Sequence, residues 1–150
     1  MERRFIPLTP LLTVDTVTIY QGKIVLIRRK NPPFQDHFAL PGGFVEVGET
    51  VETAAAREAK EETGLDVELI KLLGVYSEPS RDPRGHTVSI IFLAMGSGNL
   101  KAGSDASDTG LFGINEIPEL AFDHKKIIEN ARSDINGILS EMQKHDDARK

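Results

Sequence analysis

Cysteine is absent from this sequence, and with it disulfides, thiolate zinc sites and cysteine nucleophiles; the absence fits a reducing compartment. Tryptophan is absent too, and Tyr20 and Tyr76 are the only tyrosines, so composition points to no aromatic cage for a nucleobase. No apolar run approaches the roughly 20 residues that cross a bilayer. Residues 1–10 hold two arginines and two prolines but no signal-like apolar stretch, so the expectation is a cytoplasmic protein with no membrane partner. Long basic runs are also missing. A formal net charge of −5 repels a nucleic-acid backbone, so no nucleic-acid partner is expected. The same sign opposes unaided binding of a pyrophosphate, so an anionic substrate needs arginines at the site or a bound cation.

With 150 residues, 39% of them hydrophobic and 27% charged, the chain has the composition of one ordinary domain. There is no internal repeat and no linker, so a single domain over 1–150 is expected, with a core of about 10–143 and a frayed tail from Lys144. Residues 13–20 alternate polar and apolar, Gln21-Gly22 turns the chain, and residues 23–29 continue as the second strand of a hairpin. Asn31-Pro32-Pro33 is a loop, and Phe38-Ala39-Leu40 a short strand ending at Pro41-Gly42-Gly43. Residues 50–63 form the clearest helix, with Thr50 as its cap, four alanines within it and Gly64 just beyond its end. Two further strands follow at 67–76 and 87–95. An acidic flexible loop is expected over 96–110, a last short strand at 111–114, a helical turn at 116–120, and a helix capped by Asp123 running towards Met142. This alternation predicts an α/β (α+β) fold, a mixed sheet covered by helices.

The 50–63 helix carries an unusual charge pattern. At about 100° per residue, Val51, Ala54, Ala55, Glu61 and Glu62 all fall within roughly 60° of Glu58. Glu52, Thr53, Ala56, Arg57, Lys60 and Thr63 take the opposite side. Three carboxylates thus extend an apolar, inward-looking stripe. Like charges three and four positions apart repel by about 0.2–0.5 kcal/mol per pair, and carboxylates near a helix C-terminus oppose its dipole. A solvated acidic face is the ordinary reading of a Glu-rich helix, and the inward facing argues against it. Hard oxygen ligands in such a cluster suit Mg²⁺, with Mn²⁺ as an alternative. Glu58 and Glu62, one turn apart, can approach one ion or bridge two. Such an ion neutralises a phosphate and lowers the pKa of a bound water, which is the chemistry of hydrolysis.

The run Gly43, five residues, Glu49, seven residues, then Arg57-Glu58-Ala59-Lys60-Glu61-Glu62-Thr63-Gly64-Leu65 resembles a complete Nudix box. Ala59 is small where a larger aliphatic residue is common. The resemblance implies a Nudix-type α/β/α sandwich. It also implies metal binding by Glu58 and Glu62, by Glu61 directly or through water, and by the carbonyl of Gly42, with Arg57 orienting Glu61. Beyond the box, residues 26–34, Leu40-Pro41-Gly42-Gly43-Phe44, Ser80-Arg81-Asp82-Pro83-Arg84-Gly85-His86 and Leu120-Ala121-Phe122-Asp123-His124 resemble the small ADP-ribose pyrophosphatase branch. Phe38 and Leu111-Phe112 depart from it where tryptophan is frequent.

On that resemblance Arg28, Phe34, Arg81 and Arg84 are the substrate-binding candidates. The catalytic base is Glu61 or an acid before the last strand, Asp105 or Asp108. The expected reaction is hydrolysis of the pyrophosphate bond of a nucleotide, ADP-ribose giving AMP and ribose 5-phosphate. The alternatives are a nucleoside triphosphate pyrophosphohydrolase using the same box and a non-catalytic ADP-ribose sensor. A homodimer is compatible with the resemblance. The four histidines, His37, His86, His124 and His145, are scattered and lack a nucleophile elbow, so no Ser-His-Asp site is expected.

Overall fold

The structure, a computed structural model, describes residues 7–103 and 106–149. Its first two strands, β1 (Leu11–Tyr20) and β2 (Lys23–Arg29), form the expected hairpin. Gln21 and Gly22 both take positive φ, 53° and 75°, the backbone of the tight turns whose twist matches paired strands. After β3 (Phe38–Ala39) the chain adds a strand that sequence patterning missed, β4 (Gly42–Phe44), antiparallel to β1 with Asp15 opposite Gly42. Then come helix α1 (Val51–Thr63) and the long strands β5 (Asp66–Tyr76) and β6 (Thr87–Ser97).

The last strand, β7 (Ala106–Phe112), corrects the expectation of a loop to residue 110 followed by a strand at 111–114. Its Asp and Gly residues disfavour a strand, but pairing along β2 from Arg29 to Ile24 supplies the hydrogen bonds that set it. No helical turn forms over 116–120; Leu120 instead makes an isolated parallel bridge to Phe38. Helix α2 (His124–Ala148) continues past the expected fraying point. Asp123 precedes it without a side-chain capping bond, because its carboxylate is taken by Arg81.

The sheet runs β3-β2-β1-β6-β5, with β4 beside β1 and β7 beside β2, and β1–β6 is its parallel pair. Neighbouring residues on a strand face opposite ways. Val17, Ile19, Ile91 and Leu93 therefore pack with Ile127, Ile128 and Ile135 of α2, while Val14 and Phe92 pack with Ala54 and Ala55 of α1. The two helices cover opposite faces, as the α/β/α reading expected. Among the described residues no helix is long and apolar enough to cross a membrane.

Two facings on α1 differ from the helical-wheel expectation. Thr63, placed on the outer side, is buried, because the segment after β6 folds over the helix end and Lys101 donates to the Thr63 carbonyl at 2.8 Å. Glu61, placed inward, has its side chain 46% exposed.

Candidate active site

Helix α1 is fixed at both ends by its own sequence. The Thr50 hydroxyl accepts the Thr53 N–H at 3.0 Å, and Gly64, at φ 76°, donates to the Lys60 carbonyl at 2.9 Å. Between these caps Arg57 gathers the acids. Its Nε and Nη2 donate to Glu49 at 3.0 and 2.6 Å, and its Nη1 to Glu58 at 2.9 Å and Glu61 at 3.3 Å. Nη2 also reaches the Phe44 carbonyl at 3.1 Å. The short bonds thus go to Glu49 and Glu58, and the Glu61 contact, the one the resemblance singled out, is the longest. The Arg57 guanidinium, with help from the Glu46 backbone, holds the Glu49 carboxyl below its usual range; Glu49 in turn raises the pKa of Arg57.

Glu62 is buried, and its Oε2 accepts the Gly42 N–H at 3.0 Å. Glu58 lies against Gly43 so closely that a Cβ there would come within 2.6 Å of its carboxyl carbon. Only glycine allows this approach. Glu58, Glu62, Gly42 and Gly43 line one cleft of about 370 Å³. The oxygens among them are hard donors, and the glycine cradle leaves room beside the backbone, so the residues fit a divalent cation of the Mg²⁺ class. Among the described residues no three acidic or histidine side chains converge into a ready-made cage. Of Glu58, Glu61 and Glu62, Glu61 is the one outside the cleft lining.

The same cleft is also lined by the cationic side chains of Arg29, Lys30 and Arg84. Arg29 donates to the Pro33 carbonyl at 2.8 Å, and its guanidinium lies 4.9 Å from the centre of the Phe122 ring; that of Arg84 lies 5.7 Å from the same ring. Arg84 also pairs with Asp82 at 2.8 Å while its side chain stays 48% exposed. Burial works to raise the Asp82 pKa, but the Arg84 side chain and backbone N–H outweigh it and hold the carboxyl below its ordinary value. Arg81 is buried behind them, its Nη2 and Nε donating to Asp123 at 2.7 and 2.9 Å and its Nη1 to the Thr87 hydroxyl.

The other candidates fall as follows. Arg28 stacks on Phe38 at 4.6 Å and does not line the cleft; its neighbour Arg29 does, because adjacent strand residues face opposite sides. Phe34 is 37% exposed, packs on Phe122 at 4.9 Å and does not line the cleft. Asp108 is exposed on β7 opposite Arg28, accepts the Thr109 N–H, and lines neither cavity that holds the box carboxylates. Asp105 lies outside the described residues. Sequence reasoning missed Arg29, Phe122 and Asp15 as site residues. For Arg29 the signal was available: it shares strand parity with Ile27, whereas Arg28 shares it with Leu26, which faces α2.

Comparison with known proteins agrees with this geometry. The chain is 56% identical to an ADP-ribose pyrophosphatase of Methanocaldococcus jannaschii over 131 residues, 87% of this chain and 78% of the relative. The NUDIX domain of Shewanella oneidensis NrtR, solved in complex with ADP ribose, superposes with a TM-score of 0.75 at 30% identity, covering 85% of this chain and 89% of that one. A bifunctional NMN adenylyltransferase/ADP ribose pyrophosphatase from Francisella tularensis, solved with AMP and a manganese ion, gives a TM-score of 0.73 at 28% identity, covering 85% of this chain and 42% of its own. A family model described as the NUDIX domain matches residues 9–131, most of the chain, and this protein belongs to the NUDIX family.

Proposed function

We propose that this protein is a divalent-metal-dependent pyrophosphohydrolase that splits ADP-ribose into AMP and ribose 5-phosphate. The observation that carries the reading is that one cleft is lined both by carboxylates, Glu58 and Glu62 among them, and by the cations Arg29, Lys30 and Arg84. A diphosphate needs both, cationic side chains for its oxygens and carboxylates that would hold a charge-neutralising cation. The similarity to ADP-ribose pyrophosphatases supports the choice of diphosphate.

On this reading Glu58, Glu62 and the Gly42 carbonyl would hold Mg²⁺, with Glu61 assisting directly or through water. The bound ion would neutralise phosphate charge and make water a better nucleophile at neutral pH. Arg84 and Arg29 bind phosphate oxygens, and Phe122 keeps both guanidinium groups at the cleft. Arg57 holds Glu58 in place from the far side while Glu49 anchors Arg57. Glu61, with the most exposed carboxylate of Glu58, Glu61 and Glu62, is the candidate acceptor for the proton of the attacking water, and to act it would have to leave its 3.3 Å contact with Arg57 and turn towards the cleft. One P–O bond of the bridge breaks, one forms to water, and the two monophosphates leave. A homodimer is the assembly to test first.

The test is incubation of the purified chain with ADP-ribose and Mg²⁺, with chromatography for AMP and a triphosphate panel alongside. AMP formed chiefly from ADP-ribose is expected. Turnover of triphosphates alone would remove the substrate assignment, and binding of ADP-ribose without turnover would make the protein a sensor.

A further inference from the structure

The short segment between β3 and β4 is tied down one backbone group at a time. The Pro41 carbonyl accepts the Thr16 N–H at 2.9 Å, and the Gly42 N–H donates to Glu62. Leu40, just before them, has its N–H aimed into the interior, where it meets Nδ1 of His124 at 3.0 Å. A backbone N–H can only donate, so Nδ1 is the lone-pair nitrogen and the ring proton sits on Nε2. That nitrogen lies 3.8 Å from Oδ1 of Asp15, whose other oxygen accepts the Ser89 hydroxyl.

His124, Asp15 and Ser89 are all buried. Asp15 also bounds Gly42 directly: a Cβ on Gly42 would collide with the Asp15 carboxylate and the Val14 carbonyl. The first residue of α2 is thereby joined, through a single acceptor atom, to the stretch of backbone that meets Glu62. Burial lowers the imidazole pKa, which keeps that acceptor lone pair available. Asp15 and Asp123 favour the charged ring, and Arg81 and Arg29 oppose it.

We propose that His124 is a positioning residue for the active site, using Nδ1 to fix the Leu40 N–H so that Gly42 and Glu62 keep the spacing a divalent cation needs. The proposal rests on the metal-dependent reading above, but not on ADP-ribose as the substrate. It assigns His124 no contact with substrate. An unanchored Leu40 would let the Gly42 carbonyl wander while the acids on α1 stayed where they are.

Three variants of the full chain separate this role from simple packing. In His124→Asn the Oδ1 occupies the place of Nδ1 and keeps the acceptor; in His124→Gln the acceptor moves out to the place of Nε2; in His124→Leu there is none. Mn²⁺ binding, read by electron paramagnetic resonance without substrate, is expected to weaken by roughly 10–100-fold in the Leu and Gln variants, the usual loss when a ligand's supporting partner is removed. The Asn variant is expected to stay within about threefold of the unaltered chain, since the same backbone donor is satisfied.

Turnover should fall through kcat rather than KM. Amide exchange at Leu40 should be slow in the metal-free unaltered chain and in the Asn variant, and fast in the others. Equal Mn²⁺ affinity across the three variants would overturn the proposal. If the Leu and Gln variants do not fold, rapid Leu40 exchange in the unaltered chain would overturn it as well. Mn²⁺ binding that follows the acceptor in a chain inactive on ADP-ribose would leave the positioning role standing and remove only the substrate.

Discussion

Two of the cleft carboxylates, Glu58 and Glu62, come from one 13-residue helix, whereas its arginines are Arg29 from β2 and Arg84 from the loop before β6, with Arg81 nearby held by an aspartate 42 residues further on. The first group is built by local rules. Caps at Thr50 and Gly64 set the ends of α1, and helical spacing alone brings Glu58 and Glu62 onto one turn. The second exists only once distant segments have met. Its charges are held by the Phe122 ring and by Asp82 and Asp123. The acids can therefore be in place while the arginines are not, and variants that separate these two conditions test the contrast.

Arg81→Ala should do the most damage. It leaves Asp123 without its buried partner, a loss of about 3–5 kcal/mol for pairs of this kind, measured by denaturant unfolding. The cleft arginines should loosen with it, and Arg81→Lys, which lacks the fork that engages both Asp123 oxygens, should recover only part of the stability.

Glu62→Gln strikes the carboxylates. Metal-dependent turnover should fall by roughly 10²–10³-fold, or about 2.7–4 kcal/mol, with the thermal transition nearly unchanged because Gln still accepts the Gly42 N–H. Unchanged turnover would sink the assignment of the carboxylates.

A milder effect comes from pH. Burial holds the His124 pKa below its ordinary value, so the unfolded chain binds a proton that the folded chain refuses. The resulting stability is complete above about pH 6.5 and declines as pH falls towards the folded pKa, by at most about 1.4 kcal/mol per pH unit. The melting temperature should drop on acidification, and less steeply in His124→Asn.

Smallest is Thr50→Ala, about 1 kcal/mol for loss of an N-cap. Calorimetry should register it while kcat stays near that of the unaltered chain.

The same contrast explains what the sequence disclosed. The β1–β2 hairpin, α1, β5 and β6 were legible because each is specified by its own turn residues, caps or β-branched runs. Strand β4 was not, since two of its three residues are glycines and its pairing comes from its partner β1. Strand β7 is hidden in the sequence for the same reason, its order coming from β2. In the site, the box acids were readable from spacing, although Glu61 turned outward to Arg57. Arg29 lines the cleft and Arg28 does not, because on a strand one residue reverses the face. Phe122 and Asp15 matter only through what lies beside them in three dimensions, and no local pattern marks such a neighbour.

Residues 121–124 add a consequence about the order of synthesis. Ala121 bonds to the Phe38 carbonyl, Phe122 carries the two guanidinium groups, Asp123 clamps Arg81 and His124 receives Leu40, and in the direction of translation all four come after every residue they hold. A nascent chain that stops short of them already contains the whole acidic box and every arginine of the cleft. It nevertheless lacks the contacts that shape the cleft. The ribosome thus delivers the reactive groups early and their fastening last, so a partly made chain holding all the box acids is still denied a finished site.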